Sequence, residues 1–357
     1  MNNSKISLRQ LQALLLVEII GTGIAWLPKI TLLYAGRAAW AACLCAGVFA
    51  AAFAFVMASL ASNYSKYNFF EYSSVIIGRP FAVLATLLFV SQVIAASALN
   101  LRLFVEAARV CALPRTPLWL TGLGLLLTAL FSAGGFEARG RFGEILLIFT
   151  VPLLILSLLT QASEADFTEL LPVFRGNSPK SLLYGGFCGL TGFCGAELCL
   201  LAPRYVNRPG NAPKSAVFAV SAAAVILSAA TALCLCAVGF PNGFAALFPA
   251  LEALNMSKNF LSGKDALFLG VLCAGAVLSV SGALFFCGEL LRDMLKPKSR
   301  SWSCKLLIAP VVFFAAFLPE NLSAVWDSGV TLVLPLKTAV FLAAFLMLAV
   351  GKIKGVK

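Results

Sequence analysis

The 357-residue chain contains no histidine, and this absence removes several classes of function. Without histidine the chain cannot form a Ser-His or Cys-His catalytic pair, and the commonest metal ligand is missing. No phosphate-binding loop and no CxxC pair occur either, and nearly all of the eleven cysteines lie inside apolar runs, where small packing residues are expected. The sequence therefore predicts neither an enzyme nor a site for a metal or a cofactor.

Charged residues are also scarce, since Asp, Glu, Lys and Arg make up only 12% of the chain while hydrophobic residues make up 61%. The mean hydropathy of +0.94 lies far outside the range of soluble domains. It predicts an all-α integral membrane protein whose partner is the lipid bilayer. In such a protein the net charge of +12 is expected to set orientation rather than to bind nucleic acid.

Ten apolar runs bounded by charges are candidates for membrane spans. They cover residues 9–33, 38–61, 81–108, 117–134, 142–162, 181–202, 213–239, 266–292, 304–319 and 333–351. With the N-terminus in the cytoplasm, most of the 27 Lys and Arg residues fall on the cytoplasmic side, while Lys29 and Lys337 are counted on the outer side. The positive-inside rule therefore predicts that both termini are cytoplasmic.

The first span carries Glu18 and the triplet Gly21-Thr22-Gly23 inside its apolar run. Two glycines so close together predict an interruption of the helix, where freed backbone N–H groups would suit a carboxylate. Thr22 would then either point its hydroxyl at a ligand or bond back to its own helix.

The sixth span repeats this pattern. Its glycines and the acid that follows them are Gly185, Gly186, Gly189, Gly192, Gly195 and Glu197. Such a span is either a closely packed helix of small residues or a second interrupted helix, with Cys194 and Gly195 at the break. Two such spans, five spans apart, favour interruption, because an odd separation makes the second span enter the membrane from the opposite side. We therefore expect one transmembrane domain of two inverted repeats, about 9–162 and 181–351.

Glu18 and Glu197 each lie in an apolar span, where a charge is costly unless it is paired, hydrated or protonated. Each carboxylate either serves a ligand ammonium or a proton, or makes a structural hydrogen bond to a neighbouring helix. Arg102 and Glu106 stand four residues apart in the third span and are expected to pair with each other.

Seven short stretches fall in an order that is typical of one protein family. They are ISLRQLQALLLVEIIGTGIAWLP at 6–28, GRP at 78–80, ALNLRLFVEAA at 98–108, LPRTPLW at 113–119, GRFGEIL at 140–146, LLPV at 170–173 and FCGAELCLLAPR at 193–204. On these stretches the chain resembles the spore-germination permease family, the B subunits of endospore germinant receptors. That family belongs to the amino acid–polyamine–organocation superfamily.

The resemblance implies a bundle of ten transmembrane helices in two inverted five-helix repeats, as in amino-acid transporters, with helices one and six unwound at the centre. It also implies a place in the inner membrane of the endospore, beside an A subunit and a lipoprotein C subunit. The B subunit would recognise a small nutrient, often an L-amino acid, and pass that signal to the complex.

In transporters of that superfamily the first, third, sixth and eighth helices surround the substrate. The resemblance therefore points to a ligand site formed by Gly21, Thr22, Gly23, Ala96, Cys194, Gly195 and Ser279 and flanked by Glu18 and Glu197. Ser281 would offer a second hydroxyl to the same site. The alternative function on the same architecture is that of a secondary active amino-acid transporter coupled to H⁺ or Na⁺. Flux separates the two, because a sensor binds its nutrient without accumulating it.

The first testable prediction concerns the topology. A reporter fused after Lys357 is expected on the cytoplasmic side and one inserted beside Ser257 on the outer side, because the basic residues set the orientation. Paired fusions to alkaline phosphatase, which is active outside, and to a fluorescent protein that folds inside would measure this. Phosphatase activity from the C-terminal fusion would contradict an even number of spans.

Overall fold

The computed structural model describes residues 5–163, 165–171, 178–256, 263–295 and 301–354. Its α-helices are α1 (Leu8–Ala35), α2 (Ala39–Asn63), α3 (Phe69–Ile77), α4 (Arg79–Cys111), α5 (Leu118–Ser132), α6 (Phe136–Ala162), α7 (Pro179–Gly189), α8 (Ala212–Val238), α9 (Phe240–Ala245), α10 (Pro249–Met256), α11 (Asp265–Leu295), α12 (Ser301–Ala316), α13 (Leu322–Ser328) and α14 (Leu334–Ile353). Within these described ranges the chain forms no β-strand, so the predicted all-α fold is confirmed.

Each of the ten predicted spans coincides with a helical segment. Among the described residues, six helical stretches are long and apolar enough to cross a membrane. Large apolar side chains such as Trp119 and Phe131 of α5 and Phe149 of α6 are exposed, as expected of a surface that faces lipid. The number of ten crossings stays a prediction.

The helix α1 lies at the centre of the bundle and packs against α2, α6, α7, α8 and α11. It begins at a capping box, in which the Ser7 hydroxyl accepts a hydrogen bond from the Gln10 backbone N–H and the Gln10 side chain accepts one from the Ser7 N–H. From Leu11 onward almost every side chain of α1 is buried. A helix that is apolar all round and buried all round is expected to be central.

The predicted interruption of the first span at Gly21-Thr22-Gly23 is wrong, because α1 is continuous from Leu8 to Ala35. A Cβ atom added to Gly21 would lie 2.5 Å from the Cα atom of Gly275 in α11, so this glycine permits close approach of two helices. The helical hydrogen bonds are kept, since freed backbone groups would find no partner at this contact.

The predicted interruption of the sixth span is confirmed. The helix α7 ends at Gly189, a 3-10 turn covers Leu190–Gly192, and the chain then continues in 3-10 turns at Ala196–Leu200 and Ala202–Tyr205. We call Leu190–Leu200 the break. Gly195 has a φ of 98°, a conformation that other residues adopt only with strain.

The end of the sixth span is joined to the residues that precede α1. The Ile6 backbone N–H donates to the Tyr205 carbonyl at 2.8 Å, and the Asn207 N–H donates to the Ile6 carbonyl at 3.0 Å. These bonds form an isolated parallel bridge between Ile6 and Val206. The start of the first span and the end of the sixth are therefore held together by backbone.

The contact of Gly21 with Gly275 generates a prediction about stability. Gly21→Ala should lower the thermal unfolding midpoint and the yield of folded protein, because overpacking at a tight contact costs about 1–3 kcal/mol. Gly124→Ala in α5 is the matched control, since open space surrounds that position and Ala is the better helix former. Thermal unfolding of the detergent-purified variants measures both effects. Equal midpoints would contradict the close-packing role of Gly21.

Candidate functional site

A buried polar network joins α1, α4 and α11 near the centre of the bundle. The Trp26 indole N–H donates to Asn100 Oδ1 at 2.8 Å, and Asn100 Nδ2 donates to Ser279 Oγ at 2.9 Å. The Ser97 hydroxyl donates to the Ser279 carbonyl at 3.1 Å. Each of these side chains is buried, so the network fixes the facing surfaces of three helices.

Two further residues of the predicted site are placed beside this network. Ala96 is buried in α4, next to Ser97. Cys194 is buried in the break, its thiol donates to the Thr191 carbonyl at 3.2 Å, and it interacts with the Asn100 side chain. The structure therefore brings Ser279 and Cys194 together through Asn100, a residue that the sequence analysis missed.

Four buried charged side chains form a second cluster on the other side of the break. They are Glu18 of α1, Arg139 of α6, Glu197 of the break and Lys337 of α14, each no more than 3% exposed. The Glu18 carboxylate interacts electrostatically with all three of the others. Two acids and two bases allow opposite charges to pair within this cluster, which reduces the cost of burying them.

The Glu197 carboxylate makes the structural hydrogen bond that the sequence allowed, and it also makes an ion pair that the sequence did not predict. Its Oε1 atom accepts a hydrogen bond from Gln92 Nε2 at 3.0 Å, which is a structural bond to α4. Its Oε2 atom lies 3.3 Å from the Lys337 ammonium, which is an ion pair. The same ammonium donates to the carbonyls of Leu190 at 3.1 Å and Phe193 at 2.8 Å.

The Glu18 carboxylate lies against the strained glycine of the break. A Cβ atom added to Gly195 would come within 3.0 Å of Glu18 Cδ. The Arg139 guanidinium completes this side of the cluster, donating to Ser281 Oγ at 3.0 Å and to the Leu278 carbonyl at 3.2 Å. Ser281 bonds its own backbone, as serine in a membrane helix commonly does, because its hydroxyl donates to the Leu278 carbonyl at 3.2 Å and accepts from Arg139.

Three acceptors in this region are buried without a hydrogen bond from a donor among the described residues. They are Glu18 Oε2, Gln92 Oε1 and Glu197 Oε2, of which Glu197 Oε2 has the Lys337 ammonium at ion-pair distance. Burying such an oxygen unpaired costs about 1–3 kcal/mol, and more for a charged group. The arrangement can therefore accept a proton or an ammonium group between α1, α4 and the break.

The glycines of the first span do not expose free backbone N–H groups, which removes the basis on which Gly21, Thr22 and Gly23 were predicted to bind a carboxylate. Thr22 bonds back to its own helix, donating to the Glu18 carbonyl at 2.7 Å. A Cβ atom on Gly23 would meet Leu227 at 2.7 Å and the Gly192 carbonyl at 3.2 Å. Gly23 thus lets α1 pack against the break, which is where the irregular backbone lies.

Lys29 and Lys337, both counted among the outer basic residues, are buried inside the bundle, so neither is a basic loop residue of the kind that the positive-inside rule counts. A signal was present for Lys337, a single lysine inside the apolar run LVLPLKTAVFL, where a charge is rare and functional by default. Asn100 gave a weaker signal of the same kind in the third span. Its partners could not be identified, since they lie 74 and 179 residues away in the chain.

The helices α9 and α10 pack against α1 and cover its C-terminal half. The Lys29 ammonium donates to the carbonyls of Phe244 at 2.9 Å and Ala246 at 2.7 Å, which attaches this segment to α1. The Trp326 ring then packs edge-on against Trp26 with centroids 5.0 Å apart. This segment consists of the two short helices Phe240–Ala245 and Pro249–Met256.

The opposite end of the bundle, near the start of α1, is more open. A cavity of about 370 Å³ lies there, lined by Lys5, Ser65, Lys66, Pro203, Arg204, Tyr205 and Pro209. Its lining includes the residues that follow the break. Aromatic side chains thus pack at one end of α1, and a cavity with three basic side chains lies at the other.

Comparisons with known proteins agree with this architecture. YndE, a spore germination protein of Bacillus subtilis (strain 168), is 22% identical over 332 residues, which cover 92% of this chain and 91% of YndE. YfkT of the same organism is 26% identical over 275 residues, 74% of each chain. The crystal structure of MhsT in complex with L-phenylalanine superposes with a TM-score of 0.70 at 11% identity, covering 95% of this chain and 88% of MhsT. This likeness shows a shared fold.

The family assignment follows from the match along the chain. Residues 5–325 match the sequence family described as spore germination protein, the spore permeases. Because this match covers most of the sequence and the helices are those of a membrane protein, the chain belongs to the spore germination permease family and is an integral membrane protein with a transporter-type fold.

Proposed function

We propose that this chain is the nutrient-binding membrane subunit of a germinant receptor and that it binds a small L-amino acid at the centre of the bundle. The observation that carries the proposal is the break of the sixth span, held with its strained Gly195 against Glu18 and next to the network of Trp26, Asn100 and Ser279. Irregular backbone inside a membrane domain is expected only where it lines a binding site or is satisfied by protein.

The two ends of an amino acid fit the two kinds of group in this region. Backbone N–H groups of the break suit a carboxylate, because Lys337 occupies the carbonyls of Leu190 and Phe193 but not the donors. The unpaired acceptors Glu18 Oε2 and Gln92 Oε1 suit an ammonium group. Ala96 and Cys194 would form small walls beside the ligand side chain. The L-phenylalanine bound to MhsT, which has the same fold, supports this ligand class.

The setting of the proposed subunit follows its family. We expect the inner membrane of the endospore, both termini in the cytoplasm, and a complex with an A subunit and a lipoprotein C subunit. In the single transmembrane domain, α1 to α6 would form one five-span repeat, and α7 to α14 the inverted second repeat.

Secondary active amino-acid transport is the second candidate. It is favoured by the closed centre with aromatic side chains at one end and a cavity at the other, which is the arrangement that alternating access needs. Purified protein in liposomes separates the two candidates. A transporter accumulates labelled amino acid against a gradient, whereas a sensing subunit binds the amino acid without accumulating it.

A direct binding measurement tests what the two candidate functions share, which is the binding of an amino acid at the centre of the bundle. Titrating the purified protein with L-amino acids should change tryptophan fluorescence, because Trp26 belongs to the site. Asn100→Leu should weaken binding about tenfold, since a buried polar contact contributes about 1–3 kcal/mol. Ser91→Ala is the matched control on the same helix, where the Ser91 hydroxyl is exposed and bonds only its own backbone. If no L-amino acid binds, or if Asn100→Leu binds like the parent, the proposed site is refuted.

Gly195 allows a second prediction about the break. Gly195→Ala should abolish nutrient binding and lower the unfolding midpoint, because the new methyl group meets Glu18 in addition to the strain of a positive φ. Gly78→Ala separates these effects, since Gly78 has a φ of 85° but nothing within 4 Å of its added Cβ atom. Calorimetric titration and thermal unfolding measure both variants. Equal losses of binding in the two would leave backbone strain alone as the cause.

A further inference from the structure

We propose that the Lys337 ammonium is a built-in replacement for a monovalent metal cation at the break of the sixth span. On this proposal the break keeps its shape, and the site binds its ligand, without Na⁺ or K⁺. The part that concerns the ligand rests on the proposed function, while the part that concerns the cation stands on the structure of the break.

The contacts of the ammonium are those of a small cation site. Lys337 Nζ lies 2.8 Å from the Phe193 carbonyl, 3.1 Å from the Leu190 carbonyl and 3.3 Å from Glu197 Oε2. Unwound carbonyls together with a carboxylate are the oxygen set with which broken membrane helices hold monovalent ions. An ammonium has three donors and no acceptor. Two of the donors bond the carbonyls, and the Glu197 carboxylate supplies the opposite charge as an ion pair.

The three oxygens come from both ends of the break. Leu190 begins the first 3-10 turn after α7, Phe193 follows that turn, and Glu197 lies in the second turn beyond Gly195. One cation therefore connects the two sides of the irregular segment. Removing it would leave two carbonyls and a carboxylate facing one another in a buried place, where their mutual repulsion is strong.

The position of Lys337 is fixed by packing. Its side chain is fully buried, and the ammonium lies 5.8 Å from the centroid of the Phe53 ring of α2. A π-helical turn at Gly329–Val333 immediately precedes α14. Such turns are frequent at functional sites. At its start Gly329 packs directly on the Trp26 ring, so this turn is held against α1.

The carboxylate at the break already has its counter-charge, because Glu197 Oε2 lies 3.3 Å from the Lys337 ammonium. A metal cation added beside the ammonium would repel it at close range in a buried place, which is strongly unfavourable. The three oxygens around Lys337 Nζ therefore offer no place for Na⁺ or K⁺, whereas Glu18 Oε2 and Gln92 Oε1, which belong to the proposed ligand site, are not engaged by Lys337.

The first arm of the test uses the parent chain. Purified protein is compared in NaCl, KCl and choline chloride at equal ionic strength, with thermal midpoint and amino-acid affinity as readouts. We expect the same midpoint and less than about a twofold change in affinity, because a cation that bound only the folded protein would raise its stability. A midpoint or affinity raised specifically by Na⁺ or K⁺ would overturn the proposal.

The second arm removes the ammonium. Lys337→Ala leaves the three oxygens around an empty space, so its midpoint should fall and be restored by methylammonium or Na⁺ but not by choline. Lys337→Met fills the space with an apolar chain and should not be restored. Lys29→Ala is the matched control, since Lys29 donates to two carbonyls and has no carboxylate within ion-pair distance among the described residues. Failure of every small cation to restore Lys337→Ala overturns the proposal.

A double-mutant cycle keeps the test decisive if Lys337→Ala does not fold. Glu197→Gln and Lys337→Met each leave one buried charge unpaired, whereas the double variant removes both charges. The double variant should therefore unfold at a higher temperature than either single variant. If it unfolds no higher than the less stable single variant, the ammonium and the carboxylate are not coupled and the proposal fails.

The thermal readouts need no nutrient. If no amino acid binds but the cation results are as expected, the proposed function fails while Lys337 keeps its assigned role. If an amino acid binds and Na⁺ stabilises the parent chain, the proposed function stands while the role assigned to Lys337 fails.

Discussion

The structure depends on the neutralisation of charge inside an apolar bundle. A carboxylate or an ammonium is costly in this environment unless it meets an opposite charge and further hydrogen bonds. Glu197 and Lys337 supply each other with the opposite charge, while the hydrogen bonds come from Gln92 to the carboxylate and from the ammonium to the carbonyls of Leu190 and Phe193. The break of the sixth span is therefore compatible with the membrane interior because a lysine from α14 reaches it.

The glycines of the first and sixth spans look alike in sequence but have different structural roles. Gly21 faces Gly275 of another helix, so the absence of a side chain is used for contact and α1 stays helical. Gly195 adopts a positive φ, so the absence of a side chain is used for conformation and the helix ends. Periodicity and composition predict the spans and the break of the sixth span. They cannot distinguish these uses, because the distinction lies in the partner that each glycine meets.

The candidate site could be predicted only in outline for the same reason. Ser279 and Cys194 were expected in the site, and Asn100, which brings them together, was not. Lys337 was counted among the outer basic residues, because the positive-inside rule assumes that basic residues lie outside the spans. That assumption fails where a buried acid compensates the charge. Local sequence signals identify polar residues in apolar runs. Their pairing depends on contacts between spans that are far apart in the chain.

The bridge between Ile6 and Val206 has a mechanical consequence. The residues before α1 are bonded directly to the residues that follow the 3-10 turns of the sixth span. If those turns lengthen or shorten when the break rearranges, the peptide ahead of Ser7 must shift by a similar distance, since no flexible linker intervenes. Movement at the centre of the bundle would thus be transmitted to the surface beside Lys5, where a neighbouring protein could respond to it.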